Sequence, residues 1–341
     1  MRILWVGPWG SGSAVHQATV RALQSLGHQV EVFDQRADHH LLLIRMPRFL
    51  TLRLRWRFPA MEQANRRVMN RRLSSLVLSL RPDLFLISKG DGITIETLEA
   101  LRGEGIATAN WFPDDWQQWR WVQQIVEYYD AFFPFDSSMA QALRELGHRH
   151  VYHLPFAYDP TLHRPLALSP EDQRRYGAEI CFVGSVYPER LETLSVLTDF
   201  DLAIWGPPAW RKTHLRDFYR GYISNREPMV KLYNACTIAL NIHWRSKGHG
   251  ANYRTFEIAG CSGALQIVDD RRDIHTLFAV GQEVVIYHGL DDLREKVAWY
   301  LQHADEARTI AYRARERACR EHTFQKRMAQ LIRFVTEGTG Q

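Results

Sequence analysis

Twice along this chain a series of short apolar runs alternates with segments of helical period, and a stretch that can be neither separates the two series. The first series reads as strands at Ile3–Val6, Val30–Phe33, Leu84–Ile87 and Ile106–Ala109, with helical patterns over about 14–26, 60–80 and 94–103. The second runs through Glu179–Val183, Leu202–Trp205, Ile238–Ile242, Leu265–Val268 and Glu283–Ile286. Strands alternating with helices give parallel sheets with crossover helices. Between the series, PFAYDPTLHRPLALSPED at 155–172 carries four prolines, which break both helix and central strand, so it reads as a linker. After Tyr287 the pattern is helical to the end, with Leu293, Val297, Tyr300 and Leu301 on one face. The expectation is α/β: two Rossmann-like, doubly wound domains facing a central cleft. Their bounds are 1–155, a linker at 156–175, 176–320, and a helix at 321–341 that packs back towards the first domain.

The 341 residues exceed what one core usually organises. With 45% hydrophobic and 24% charged residues, disordered and fibrous classes are excluded. Four cysteines (Cys181, Cys236, Cys261, Cys319) stand far apart with no CxxC pair, which argues against a disulfide framework or zinc site. Reduced, buried thiols are expected instead. The start MRILWVGPWG lacks a signal-peptide pattern, and no apolar run approaches a membrane span, so the expectation is a cytoplasmic protein. Net charge is +5, but the excess is local: residues 45–72 hold nine arginines and one acid, Glu62. That segment reads either as a solvated helix face with a basic loop, or as peripheral contact with anionic membrane. No nucleic-acid partner is expected.

Several strand ends carry chemistry. The first strand enters GPWGSGSAVHQATV, a small-residue turn before a helix, suited to an anion or a sugar hydroxyl. Gly10 and Ser11 are the acceptor-binding candidates there. Read as a dinucleotide fingerprint, Gly10 and Gly12 fit, Val15 replaces the third glycine, and Asp34 stands at the distance of a ribose-binding acid. A nicotinamide-type oxidoreductase therefore stays as an alternative. Lys89 in SKGDG is either a ligand-facing charge or a surface lysine. In ANWFPDDWQQWRWV, one of Asp114 and Asp115 serves as helix N-cap and the other meets an acceptor hydroxyl or acts as its base. Trp111, with Trp116, Trp119 and Trp121, would suit stacking on a sugar.

In the second half, CFVGSVYPER offers Gly184 and Ser185 for close approach of a ligand, and Arg190 for a phosphate or for solvent. GHGANYRTFEIAGCSGA at 248–264 is the richest stretch. Asn252 as N-cap puts the amides of Tyr253, Arg254 and Thr255 at a helix N-terminus, and Arg254 adds a charge for a diphosphate. Glu257 suits the paired hydroxyls of a ribose. The simpler alternative is an intrahelical Arg254–Glu257 pair.

NYRTFEIAGCSGALQIVDD, LFAVGQEVVIYHGLDDLREKVAWYL and REHTFQKR resemble the CgeB-like (spore maturation protein B) glycosyltransferases of the GT-B group. PDLFLISKGDGI, TANWFPDDW, CFVGSVYPER and the LNIH strand are similar as well. The resemblance implies transfer of a sugar from a nucleotide-diphosphate sugar, bound by the C-terminal domain, to a glycan, lipid-linked or protein acceptor at the N-terminal one. It implies that Glu257 holds the ribose, that Arg190 and Arg254 face the diphosphate, and that His243, His249 and Asn252 lie on the donor side. It also implies that no metal or other cofactor is needed. His249 stands where related retaining enzymes have a glutamate, which leaves the sugar and the stereochemical outcome open. A non-catalytic nucleotide-sugar-binding protein is the third reading.

Overall fold

The structure is a computed structural model and describes residues 1–9, 14–35, 59–244 and 247–338. The chain forms two compact units, Met1–Leu154 with Met328–Gln341, and Pro155–Arg327.

The first unit is built on β1 (Arg2–Gly7), β2 (Gln29–Asp34), β3 (Leu84–Ser88), β4 (Ala107–Phe112) and β5 (Ala131–Pro134). They form one parallel sheet in the order β2-β1-β3-β4-β5. Ile3, Leu4, Trp5 and Val6, like Leu84–Ile87, are fully buried, as expected for strands covered on both faces. Connecting helices are α1 (Ala14–Ser25), α2 (Pro59–Leu80), α3 (Ile95–Gly103), α4 (Trp119–Ile125) and α5 (Ser137–Glu145). Side-chain caps set two of the starts: Thr94 accepts from the Thr97 amide, and Asp136 from those of Ser138 and Met139. On α2, Met69, Leu73 and Val77 enter the core while Arg66, Arg67, Arg71 and Arg72 are exposed. The rest of the arginine-rich segment, residues 45–58, lies outside the described residues. In the C-terminal stretch of this unit, Phe334 stacks on Tyr152 at 4.4 Å.

The second unit has a six-stranded parallel sheet in the order β11-β10-β9-β6-β7-β8. Its strands are β6 (Ala178–Val183), β7 (Leu202–Trp205), β8 (Tyr219–Gly221), β9 (Cys236–Asn241), β10 (Leu265–Asp269) and β11 (Val285–Tyr287). Its helices are α6 (Pro170–Tyr176), α7 (Pro188–Ser195), α8 (Glu227–Ala235), α9 (Tyr253–Cys261), α10 (Arg272–Leu277), α11 (Leu290–Gln302) and α12 (Ala304–Glu321). A last helix, α13 (Phe324–Gly338), begins in this unit and ends in the first. The order of strands reverses between β6 and β9, the place in such sheets where ligands collect beyond the strands' carboxyl ends. Among the described residues no helix is long and apolar enough to cross a membrane.

The proline-rich segment is more firmly held than a loose linker. Tyr158 is buried and pairs through its backbone with 322–324: its amide donates to the His322 carbonyl at 3.0 Å, and the Phe324 amide donates back at 3.1 Å. Buried Arg327 donates to the carbonyls of Pro155 (3.0 Å) and Phe156 (3.2 Å) and to Nδ1 of His322 (2.8 Å). Burial drives Arg327 down to about 10. Burial, with the neighbouring Arg327 charge, drives His322 down to about 4, so the imidazole is neutral and accepts that bond. The ring of Tyr158 lies against Gly260 of α9, where any β-carbon would overlap it. Gly260→Ala should therefore cost about 1–3 kcal/mol, because an aromatic ring must shift in a packed site. Thermal denaturation measures this, and an unchanged midpoint would refute the packing. Three cysteines, Cys181, Cys236 and Cys261, are buried as expected, but Cys319 is exposed. It lies near the end of α12, with its sulfur 2.8 Å from the Tyr158 hydroxyl.

Candidate active site

In the second unit, the segments leaving β6 and β9 carry the residues expected on the donor side. Asn252 caps α9, its side chain accepting from the Thr255 amide at 3.0 Å. The cap is locked from below by buried amides: Asn241 Nδ2 donates to Asn252 Oδ1 (3.2 Å), Thr255 Oγ1 (3.1 Å) and Gln266 Oε1 (3.0 Å). His243 fixes the approach to the cap. Its Nδ1 lies 2.8 Å from Asp269 Oδ1, and its Nε2 accepts the Asn252 amide at 2.9 Å. Those partners select the tautomer with the proton on Nδ1. Asp269 also meets Arg271 Nε at 2.9 Å. Burial acts to raise Asp269, but His243 and Arg271 prevail and hold it down at about 2. Arg271 then donates to the carbonyls of Trp244 (2.9 Å) and Gly248 (3.0 Å), pinning the loop that leads to α9. His249 sits in that loop, half-buried, its carbonyl accepting from the Asp273 amide.

Arg254 and Glu257 lie together on α9. Arg254 Nη1 donates to Glu257 Oε2 at 2.6 Å, and the carboxylate is 1% exposed. Burial acts to lower the Arg254 guanidinium, but Glu257 and Tyr233 beside it raise it above its ordinary range. The intrahelical pair weighed from the sequence is therefore present, and buried rather than solvated. On its other side, Glu257 Oε1 lies 3.4 Å from Nε2 of His163, a fully buried residue of the proline-rich segment. Sequence reasoning passed over His163, since only the approach of that segment to α9 at Gly260 brings it near.

At the end of β6, a side chain at Gly184 would overlap the Phe182 ring and crowd Arg190. Arg190 turns inward. Its Nε and Nη2 donate to the Ile242 carbonyl (3.2 and 2.8 Å) and Nη1 to the Ser185 carbonyl (3.0 Å), and the guanidinium lies over the Tyr187 ring at 4.8 Å. Burial, and to a smaller degree the charge of Arg254, lower it. Arg190 thus ties the ends of β6 and β9 together, close enough to Arg254 for the two charges to be felt.

In the first unit, β3 and β4 end side by side. Lys89 Nζ lies 2.6 Å from Asp114 Oδ2 and 3.8 Å from Asp91 Oδ2, with Lys89 and Asp114 each about one-third exposed (34% and 35%). Partial burial acts to lower the amine, but the bond and charge of Asp114, then Asp91, raise it. The Lys89 backbone is left-handed at φ 70, a conformation costing a non-glycine residue about 1–2 kcal/mol. It is held there by the Asn110 side chain, which donates to its carbonyl at 2.9 Å. Asp115 is the cap of the pair, accepting from the Gln117 amide at 3.0 Å, while Asp114 pairs with Lys89. Trp111 corrects the sequence reading. It is 3% exposed with its indole donating to the Leu154 carbonyl at 3.0 Å, so it fills the core and offers no stacking face. Trp116, Trp119 and Trp121 pack against the core that holds Phe112 and Phe132. Asp34 accepts the Trp9 amide at 2.9 Å. Gly10, Ser11 and Gly12 lie outside the described residues. Among the described residues no three His, Cys, Asp or Glu side chains are placed to share a metal ion.

Residues 188–333 match the family described as glycosyl transferase-like, a span that includes α9. Over 273 residues the chain is 24% identical to spore protein CgeB of Bacillus subtilis (strain 168), covering 74% of this chain and 83% of that protein. Its fold is similar to that of Anabaena HepE in complex with UDP, with a TM-score of 0.64 at 11% identity, covering 99% of this chain and all of the other. Sucrose-phosphate synthase from Thermosynechococcus elongatus is similar with a TM-score of 0.71 at 12% identity, covering 98% of both chains. HepE in complex with UDP and glucose gives 0.62 at 11% identity, over 98% of this chain and 99% of the other. The chain is similar to the CgeB-like glycosyltransferases and has the GT-B fold.

Proposed function

We propose that the chain moves a glycosyl group from a nucleotide-diphosphate sugar to an acceptor hydroxyl, with the donor on the second unit and without a metal. The observation that carries the reading is the buried Arg254–Glu257 pair at the start of α9, beyond the carboxyl end of β9. The helix N-terminus and Arg254 suit the diphosphate, and Glu257 accepts the ribose hydroxyls. Arg190 acts by bracing the two strand ends and adding its charge behind the phosphates. In the reaction the acceptor oxygen bonds to the anomeric carbon as the carbon–oxygen bond to the diphosphate breaks. The bonding pair leaves on the phosphate oxygen, where fixed cations and amides stabilise it. The acceptor proton passes to Asp114, held by Lys89. The likeness to HepE, solved with UDP and glucose, supports this class of donor.

A thermal-shift panel of nucleoside diphosphates and their sugars, with NADH as control, tests the reading. Stabilisation by one nucleotide and its sugars, and none by NADH, is expected. Stabilisation by NADH alone would return the oxidoreductase reading suggested by Asp34.

A further inference from the structure

We infer that His163, in the proline-rich segment, positions the Glu257 carboxylate for the ribose and thereby sets the preference for ribonucleotides over 2′-deoxyribonucleotides. This rests on the reading of Glu257 as the ribose acceptor. Glu257 is asymmetric. Its Oε2 takes the Arg254 bond at 2.6 Å, whereas Oε1 is buried without a hydrogen bond and faces Nε2 of His163 at 3.4 Å. Both ring nitrogens of His163 are likewise buried without a partner.

Leaving a buried polar group unsatisfied costs about 1–3 kcal/mol, and a leucine or phenylalanine would fill the same space without that cost. Packing alone therefore gives no reason for an imidazole at this point. Its role is with the carboxylate. Arg254 bonds one oxygen and the His163 ring lies 3.4 Å from the other, so the carboxylate is confined between them.

The segment is shaped to deliver this ring. Asp159 Oδ1 accepts the Thr161 amide (3.0 Å) and hydroxyl (2.7 Å), and the Asp159 carbonyl accepts the His163 amide at 2.8 Å. Tyr158 is anchored to 322–324 and seats against Gly260. The ring of Tyr253, the first residue of α9, lies 6.2 Å from the His163 ring and closes the far side. A positioned carboxylate distinguishes a ribose from a deoxyribose, because it loses a charged hydrogen bond when the 2′-hydroxyl is absent.

The test is calorimetric titration of the full chain with UDP, GDP and ADP and with dUDP, dGDP and dADP. The wild type should favour the ribose form of its nucleotide by about tenfold or more. His163→Phe should bring that ratio to within about threefold of unity while binding the deoxy form nearly as before, since diphosphate and base contacts are untouched. His163→Gln, whose amide can still donate to Oε1, should keep most of the ratio and serves if the phenylalanine variant folds poorly. Equal weakening of both forms in the variants, or an unchanged ratio in His163→Phe, would overturn the positioning role. A wild type that binds nucleotides without preferring ribose would overturn the Glu257 assignment itself, and one that binds none of the six would overturn the proposed function.

Discussion

Glu257→Gln should weaken nucleoside-diphosphate binding by about 10- to 100-fold, since a neutral amide replaces an acceptor of two charge-assisted hydrogen bonds. Glu257→Ala should do more. It leaves Arg254 facing no carboxylate in a buried site and His163 without its neighbour, and breaking a buried ion pair from one side costs about 3–5 kcal/mol of stability. Both substitutions remove the charge opposite Arg254, but the glutamine keeps the shape and an acceptor oxygen, so the difference between them isolates what the alanine loses in packing. Burial, and then the Glu257 charge, raise the Tyr253 hydroxyl well above its usual range. Calorimetry and thermal denaturation on both variants measure these effects. A glutamine variant that binds nucleotide like the wild type would remove Glu257 from the donor site.

Asp114→Asn should reduce sugar transfer by about 10²- to 10⁴-fold, the usual contribution of a positioned general base. Nucleotide affinity should stay within about twofold, because the residues proposed for the donor all belong to the other unit. Stability should barely change: Lys89 and Asp114 are each about a third exposed, and such pairs contribute about 0–1 kcal/mol. Asp115→Ala is the informative companion. It removes the cap on the Gln117 amide, which costs about 0.5–2 kcal/mol, while leaving the Lys89–Asp114 pair in place. Release of nucleoside diphosphate from the donor found in the panel gives the rates. Equal losses from both substitutions would mean that the segment, and not Asp114, matters.

Much of the fold is written in local pattern. Strands such as Ile3–Val6 and Leu84–Ile87 are legible because a central parallel strand is buried on both faces and must be apolar throughout. Ala131–Pro134 and Tyr219–Gly221 escape that reading: one ends in proline and the other is three residues with a charge in the middle. The candidate site was legible where structure is local, as in the caps at Asn252 and Asp115 and the Arg254–Glu257 pair. It was illegible where tertiary approach decides. Trp111 looked like a stacking platform in a row of tryptophans, yet a strand residue opposite Ser88 in a covered sheet points into the core. Arg190 looked free to reach a phosphate, but the end of β9 supplies the Ile242 carbonyl that turns it inward. The glycines that follow the Arg254–Glu257 pair are explained only by tertiary packing: Gly260 admits the Tyr158 ring, and a side chain at Gly263 would overlap the backbone of Tyr233 and Asn234 at the end of α8.

The central claim is that the start of α9 holds the donor nucleotide. A crystal structure with the nucleoside diphosphate that stabilises the chain most tests it directly. The account predicts phosphate oxygens on the amides of Tyr253 and Arg254, the Thr255 amide being held by the Asn252 cap, and the ribose hydroxyls on Glu257. A nucleotide bound instead in the first unit, with its ribose on Asp34, would contradict it.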